Sequence, residues 1–376
     1  MKFLHLSDLH LGKRLLGCSL LEDQRYILEQ LLPIAREADA VLIAGDVYDK
    51  AVPSAEAVAL CDWFLTRLAG QGTTVLLISG NHDSAQRLAF GARLMAGGGI
   101  HIAPVFSGAP EPVLFRDRWG EVAVYLLPFL KPVSVRQVYP EEEISSYQDA
   151  LACVLRHMPL DPDRRNLLVA HQYVAGAKQC QSEEVSIGGL DQVDASLFDA
   201  FDYVALGHLH TPQWVGRKTV RYCGTPLKYS FSEAGQEKAA LLVNLEEKGK
   251  ITLDQRPLAP LRELSTLRGT YLELTDRRFY RDRNTQDYLH IVLTDEEDIP
   301  QALGRLRVVY PNLLSLEYDN RRTRSSQTVT PDGAAHRRSP LELLSDFYET
   351  QNNQPMSQAQ LDYAAGLMAG IWEEEP

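Results

Sequence analysis

Between Met1 and His210 the chain repeats one pattern: a short apolar run that stops abruptly at Asp, Asn or His. Val41-Leu42-Ile43-Ala44 stops at Gly45-Asp46-Val47-Tyr48-Asp49, and Met1-Lys2-Phe3-Leu4-His5-Leu6 stops at Ser7-Asp8-Leu9-His10. Thr74-Val75-Leu76-Leu77-Ile78-Ser79 meets Gly80-Asn81-His82-Asp83, Asn166-Leu167-Leu168-Val169-Ala170 meets His171, and Tyr203-Val204-Ala205-Leu206 meets Gly207-His208-Leu209-His210. Runs this short and continuous predict strands covered on both faces. Ligands of α/β sheets gather just beyond the carboxyl ends of such strands, so the pattern predicts metal-binding side chains delivered to one edge of a sheet.

Between the strands, apolar residues at helical spacing predict helices over Leu21–Ala38, Ala55–Leu68 (after Pro53-Ser54), Ser84–Met95 and Glu141–His157. Strand–helix alternation predicts a sheet with covering helices. Val105–Phe129 predicts short antiparallel strands, Gly176–Asp191 a loop near the site, and Tyr222–Leu227 and Ala239–Asn244 further strands. The core unit is expected over residues 1–260, followed by a linker bearing Pro257, Pro260 and the charged run Arg262–Arg268. Residues 261–320 predict a small α/β unit, with strands Tyr288–Leu293 and Leu313–Tyr318 around a helix Ile299–Tyr310. Residues 321–338, rich in Arg, Ser, Thr and Gly, predict a mobile linker. Residues 339–376 predict two amphipathic helices suited to docking a partner, with packing back on their own chain as the alternative.

Composition narrows the class. The 376 residues are 45% apolar and 23% charged, as in an ordinary globular protein. No run approaches the roughly 18 apolar residues that span a bilayer, and Met1 leads straight into a strand, so a cytoplasmic protein is expected. The five cysteines, Cys18, Cys61, Cys153, Cys180 and Cys223, form no Cys-x-x-Cys pair and read as reduced thiols. A net charge of −12 excludes coating of nucleic acid by bulk electrostatics. Contact with DNA then needs local basic patches, bound cations or a partner. Lys13 and Arg14 lie close in sequence to Asp8 and His10, where a polyanion would arrive; a solvated loop pair is the alternative.

Asp8-x-His10, Asp46, Asn81-His82, His171 and His208-x-His210 together favour a metal site. Carboxylate, amide and imidazole without thiolate suit Mn²⁺, and Mg²⁺, Fe²⁺ or Zn²⁺ less specifically. The set is too large for one ion. Two ions about 3.5 to 4 Å apart need a bridging carboxylate, and such a pair polarises a phosphoryl group and makes hydroxide available near neutral pH. His82 follows Asn81 directly and points elsewhere, which makes it the candidate to stabilise developing charge or protonate a leaving oxygen. Asp49, three residues after Asp46, is expected to orient and charge His82 through its carboxylate, with a solvent-facing or capping role as the alternative.

These motifs, in particular His5-Leu6-Ser7-Asp8-Leu9-His10-Leu11-Gly12, Gly45–Asp49, Ala205–His210, Tyr222-Cys223-Gly224-Thr225-Pro226 and Ser230-Phe231-Ser232-Glu233, resemble the calcineurin-like metallophosphoesterase superfamily. Within it they are similar to the nuclease subunits of double-strand-break repair complexes. The resemblance implies a sandwich of mixed β-sheets flanked by helices, with a small α/β capping domain and C-terminal helices. It implies one Mn²⁺ on Asp8, His10, Asp46 and His210, a second on Asp46, Asn81, His171 and His208, and His82 as a catalytic residue. It further implies 3′-to-5′ exonuclease activity on duplex DNA and endonuclease activity on single strands and hairpins, in DNA replication, recombination and repair. The capping unit would admit and shape DNA, and the terminal helices would bind an SbcC-type ATPase at the base of its coiled coils. A homodimer through the helices near Ala55–Leu68 and Ser84–Met95, inside a heterotetramer, is implied as well. Archaeal relatives can carry His at the position of Asp49, so a role built on that imidazole does not transfer. The competing readings are a metallophosphatase or small-molecule phosphodiesterase on the same scaffold, and a non-catalytic DNA-end adaptor.

Overall fold

The computed structural model describes residues 1–180, 182–183, 191–326, 340–352 and 354–373, and it forms two compact units, Met1–Glu263 and Leu264–Pro376. The larger unit holds two six-stranded sheets. In the first, Lys2–Leu6, Ala40–Ala44, Thr74–Ile78 and Ile100–Ala103 run parallel, and Ala239–Leu245 and Ile251–Pro257 extend one side antiparallel. In the second, Gly120–Leu127, Arg165–His171, Tyr203–Gly207 and Arg217–Tyr222 run parallel, with Val113–Asp117 and Gln213–Val215 antiparallel at the two edges.

Strand period sends alternate side chains to opposite faces. Phe3, Leu42, Leu76, Val124, Val169, Ala205 and Val243 therefore pack together between the sheets. Tyr125, Leu168, Leu206 and Tyr222 face the other way and pack with Leu151 and Val154 of the helix Tyr147–His157. On the first sheet, helix Ala55–Gly70 packs on Thr74–Ile78 and on helix Leu21–Ala35. Its first turn is capped by Ser54, whose hydroxyl accepts from Ala57 N–H at 3.3 Å. Covering both faces is what makes the strands apolar at every position.

His5 is a polar stitch across this interior. Its Nε2 lies 3.1 Å from the Leu206 carbonyl and its Nδ1 3.0 Å from the Tyr203 hydroxyl. A carbonyl only accepts, so Nε2 carries the hydrogen and Nδ1 accepts from Tyr203. Burial holds the ring neutral, with its pKa lowered to about 3. The unfolded chain takes up a proton below its ordinary value of 6.5, so this contribution is complete above that pH and is lost as pH falls from 6.5 toward 3. The group is expected to cost about 2 kcal/mol of stability between pH 7 and pH 5. Urea midpoints at both pH values should show a shallower pH dependence in His5→Gln.

Several elements differ from their sequence prediction. The single helix expected over Ser84–Met95 is two short ones, Ala85–Leu88 and Ala92–Ala96, interrupted where Gly91 turns left-handed at φ 74°. The helix expected from Glu141 starts only at Tyr147, because Ser146 and Asp149 form a reciprocal capping box that fixes its first turn. The strand expected over Tyr222–Leu227 ends at Tyr222. Beyond it Gly224 has φ 77° and sits where a Cβ would lie 2.7 Å from the His210 carbonyl. Part of the linker expected after residue 260, Leu264–Gly269, is a strand that pairs parallel with Tyr288–Leu293.

The second unit is a three-stranded parallel sheet, Leu264–Gly269, Tyr288–Leu293 and Leu313–Tyr318, closed by Leu274, Ile291, Leu306 and Tyr310. The helix expected over Ile299–Tyr310 is regular only over Ala302–Arg307. Of the linker expected over 321–338, Arg321–Ser326 is helical and 327–338 lies outside the described residues. Helices Pro340–Asn352 and Gln358–Glu373 follow, with Leu343, Phe347, Tyr363 and Leu367 exposed. In the loop expected over Gly176–Asp191, residues 181 and 184–190 lie outside the described residues. Among the described residues no helix is long and apolar enough to cross a membrane.

Candidate metal centre

The strand ends expected along one sheet edge come from two sheets. Lys2–Leu6, Ala40–Ala44 and Thr74–Ile78 lead from the first into Asp8, His10, Asp46 and Asn81, while Arg165–His171 and Tyr203–Gly207 lead from the second into His171, His208 and His210. Glycines let the sheets converge there. A Cβ at Gly207 would stand 1.9 Å from the Ala44 carbonyl, and one at Gly80 would stand 2.1 Å from Asp46 Oδ1.

Asp8, His10, Asp46 and His208 all have positive φ, at 51°, 43°, 49° and 106°. Such backbone costs of order 1–3 kcal/mol per residue and persists only where the surroundings enforce it. Here they do. Asp8 and His10 donate their N–H groups to the Gly45 and Asp46 carbonyls at 3.1 and 2.9 Å. Gln24 donates to the Leu9 and His10 carbonyls at 3.2 and 2.7 Å, and Tyr229 donates to Leu9 at 2.5 Å. Asp83 accepts from Val47, Tyr48 and Gly80 N–H groups at 2.9–3.1 Å, tying two site loops together.

Atoms able to ligate a cation converge in two sets that share Asp46. In the first, His10 Nε2 lies 3.2 Å from His210 Nε2 and 3.7 Å from Asp46 Oδ2, and Asp8 completes a cluster with both rings. In the second, His171 Nε2 lies 3.3 Å from Asp46 Oδ2 and 2.9 Å from Asn81 Oδ1, which is also 2.9 Å from His208 Nδ1. Asp8 additionally accepts from His208 N–H at 3.0 Å.

The residues fit divalent cations on their hydrogen-bond chemistry. His171 Nδ1 meets the Ala44 carbonyl at 2.8 Å and so carries the hydrogen of the neutral ring. Its Nε2 then aims a lone pair at two oxygens, and Asn81 turns its oxygen rather than its amide nitrogen to the rings. Acceptors facing acceptors repel unless positive charge sits among them. Charge distribution agrees. Burial alone would raise the Asp46 pKa, yet His171, His10 and His82 hold it well below the usual carboxylate range. Asp8 is pushed up to about 7 by burial and by the Asp46 charge, against the pull of His171. Burial would lower His171, yet Asp46 raises it to about 9, so a proton on Nε2 can supply the positive charge these acceptors require, as a bound cation would, while burial holds His10 and His208 neutral at about 3. Mixed oxygen and imidazole donors of this kind suit Mn²⁺ and similar ions.

His82 stands at the rim, 12% exposed, whereas the clustered histidines are 0–5% exposed. Its main-chain N–H donates to Asp46 Oδ1 at 2.9 Å and its Nε2 lies 4.0 Å from Asp46 Oδ2. The expected carboxylate link from Asp49 is corrected here: the Asp49 main-chain carbonyl meets His82 Nδ1, at 3.1 Å. The Asp49 carboxylate instead pairs with Lys13 Nζ at 2.8 Å and lies 3.8 Å from His10 Nδ1. Three residues on a turning chain reverse the side-chain direction while the carbonyl stays in reach. Asp49→Asn is accordingly expected to lower kcat by about tenfold or less, the low end for groups that orient a ligand. The pH–rate profile should stay in place, and a large shift in it would restore the carboxylate link.

Sequence reading missed Gln24, Asp83 and Tyr229. Asp83 lies inside a quoted motif, but Gln24, within Glu22-Asp23-Gln24-Arg25, and Tyr229, within Lys228-Tyr229-Ser230, carry no local signal, and only folding brings them onto the Leu9–His10 backbone.

The family described as Calcineurin-like phosphoesterase matches residues 1–212, and that described as Type 5 capsule protein repressor C-terminal domain matches residues 260–352. The SbcD component of the nuclease SbcCD from Staphylococcus epidermidis is 32% identical over 384 residues, covering 100% of both chains. The crystal structure of TT1561 of Thermus thermophilus aligns at 13% identity with a TM-score of 0.35, covering 68% of this chain and 98% of that one.

Proposed function

Because this chain belongs to the calcineurin-like phosphoesterase family, and within it to the family of the SbcD component of the nuclease SbcCD, it is a metal-dependent hydrolase of phosphodiester bonds, and we propose that it is the Mn²⁺-dependent DNA nuclease of a cytoplasmic end-processing complex. Its activities would be 3′-to-5′ exonuclease on duplex ends and endonuclease on single strands and hairpins. The observation that carries this is Asp46, a buried carboxylate between two convergent ligand sets with His82 at the open rim.

Asp8, His10, Asp46 and His210 would hold one Mn²⁺, and Asp46, Asn81, His171 and His208 the other. When bound, such a pair supplies charge to a phosphodiester and brings water toward hydroxide near neutral pH. The chain contributes position. Asp46 keeps both sets in register, with its Oδ1 held by the His82 N–H. The His82 ring donates Nδ1–H to the Asp49 carbonyl, which leaves Nε2 facing the reacting centre; as the imidazolium, Nε2–H can pass its proton to the leaving oxygen while the ring keeps its Nδ1–H. Lys13, held by Asp49, offers local positive charge in a chain of net charge −12.

The exposed Leu343, Phe347, Tyr363 and Leu367 support docking of an SbcC-type ATPase on the C-terminal helices. The exposed Phe90 and Leu94 support a homodimer within a heterotetramer. Cleavage of linear and hairpin duplexes, with and without the ATPase, in Mn²⁺ and then in Mg²⁺, tests the reading. Expected are Mn²⁺-supported cleavage and its loss on chelation. Preference for a simple aryl phosphate over DNA would instead identify a small-molecule phosphodiesterase, and no cleavage of either an adaptor.

A further inference from the structure

Behind His210 lies a buried polar chain that the mechanism above leaves unused. Glu233 is fully buried and its Oε2 lies 2.6 Å from Lys238 Nζ. Lys238 also donates to the His210 carbonyl at 3.0 Å and to Thr225 Oγ1 at 2.8 Å. Glu233 Oε1 accepts from the Ser182 hydroxyl at 2.7 Å and from Tyr229 N–H at 3.2 Å. Ser182 Oγ in turn lies 2.7 Å from His210 Nδ1, and the adjacent Glu183 accepts the His210 main-chain N–H at 2.5 Å. Two neighbouring loop residues thus hold one histidine at its ring and at its backbone.

The hydrogens can run only one way. A carboxylate paired with lysine accepts and does not donate, so the single hydroxyl hydrogen of Ser182 goes to Glu233. Ser182 Oγ must then accept from His210 Nδ1–H. A neutral imidazole has one N–H, so Nε2 is left with a lone pair, aimed into the first ligand set 3.2 Å from His10 Nε2. Rotating the ring or moving its hydrogen would break the Ser182 bond and leave Nε2 unable to ligate.

We propose that Ser182 and Glu233 are positioning residues that fix His210 as a ligand of the first cation site, with Lys238 anchoring both the Glu233 carboxylate and the His210 backbone. The strength of one cation site is thereby set from the loop at residues 182–183, independently of the second site. Partners that orient a ligating histidine typically contribute 10–100-fold to metal affinity. The inference rests on the two-cation reading of the preceding subsection.

The test is a Mn²⁺ titration of the full chain, read by the electron paramagnetic resonance of free Mn²⁺, for wild type, Ser182→Ala and Glu233→Gln. Ser182→Ala removes one half-buried hydroxyl, whereas Glu233→Gln disturbs a buried ion pair, so the serine variant carries the result if the other fails to fold. Wild type should bind two ions. Each variant should bind one ion as wild type does and the other about 10–100-fold more weakly, with unchanged melting temperature in the absence of metal for Ser182→Ala. Wild-type affinity at both sites in Ser182→Ala overturns the inference, as does equal weakening of both sites with a lowered melting temperature, which is the signature of a merely structural role. Wild type binding no Mn²⁺ would overturn the two-cation reading itself.

Discussion

His82→Asn is expected to lower DNA cleavage by about 10²–10⁴-fold, the usual contribution of a positioned proton donor, while both Mn²⁺ ions remain bound. The expectation follows from where His82 stands. It is the histidine at the rim of the centre, and its tie to Asp46 is through the main-chain N–H, which substitution preserves. Its ring is anchored from Nδ1 to the Asp49 carbonyl, outside both ligand sets, so removing the imidazole leaves those sets intact. Single-turnover cleavage in saturating Mn²⁺, combined with a Mn²⁺ titration, separates chemistry from binding. Unimpaired cleavage would remove His82 from the mechanism, and lost metal binding would make it a ligand instead.

Asp46→Asn should have an effect at least as large on activity, by a different route. The Asp46 carboxylate is the group common to both ligand sets, 3.7 Å from His10 Nε2 and 3.3 Å from His171 Nε2. Removing its charge is expected to weaken both cations together. Several kcal/mol of transition-state stabilisation are lost with them, roughly 10³-fold or more in rate. Thermal stability gives an independent reading. A ligand at a hundred times its Kd stabilises the folded state by about 2.7 kcal/mol, so Mn²⁺ should raise the melting temperature of wild type and leave that of Asp46→Asn nearly unchanged. Without metal the variant should be less stable, because the charge that His171, His10 and His82 keep ionised is lost, and this outweighs the relief of its repulsion with Asp8. A variant that still gained stability from Mn²⁺ would place the shared carboxylate elsewhere.

The sequence by itself determined which side chains could carry the chemistry. Asp8, Asp46, Asn81, His171, His208 and His210 were legible because each ends an apolar run, and a strand that must be buried announces both its position and its end. The core of the larger unit was legible for the same reason. Tertiary structure decided what local spacing cannot encode. It divided the strands between two sheets, let Gly207 bring one sheet onto the other at Ala44, and turned the Asp49 carboxylate to Lys13 rather than His82. It also brought Ser182, Glu233 and Lys238 to the back of His210, and Gln24 and Tyr229 onto the Leu9–His10 backbone. Apolar periodicity reports burial, which each residue satisfies on its own account. The direction of a hydrogen bond depends on a partner that is distant in sequence and becomes a neighbour only when the sheets have packed.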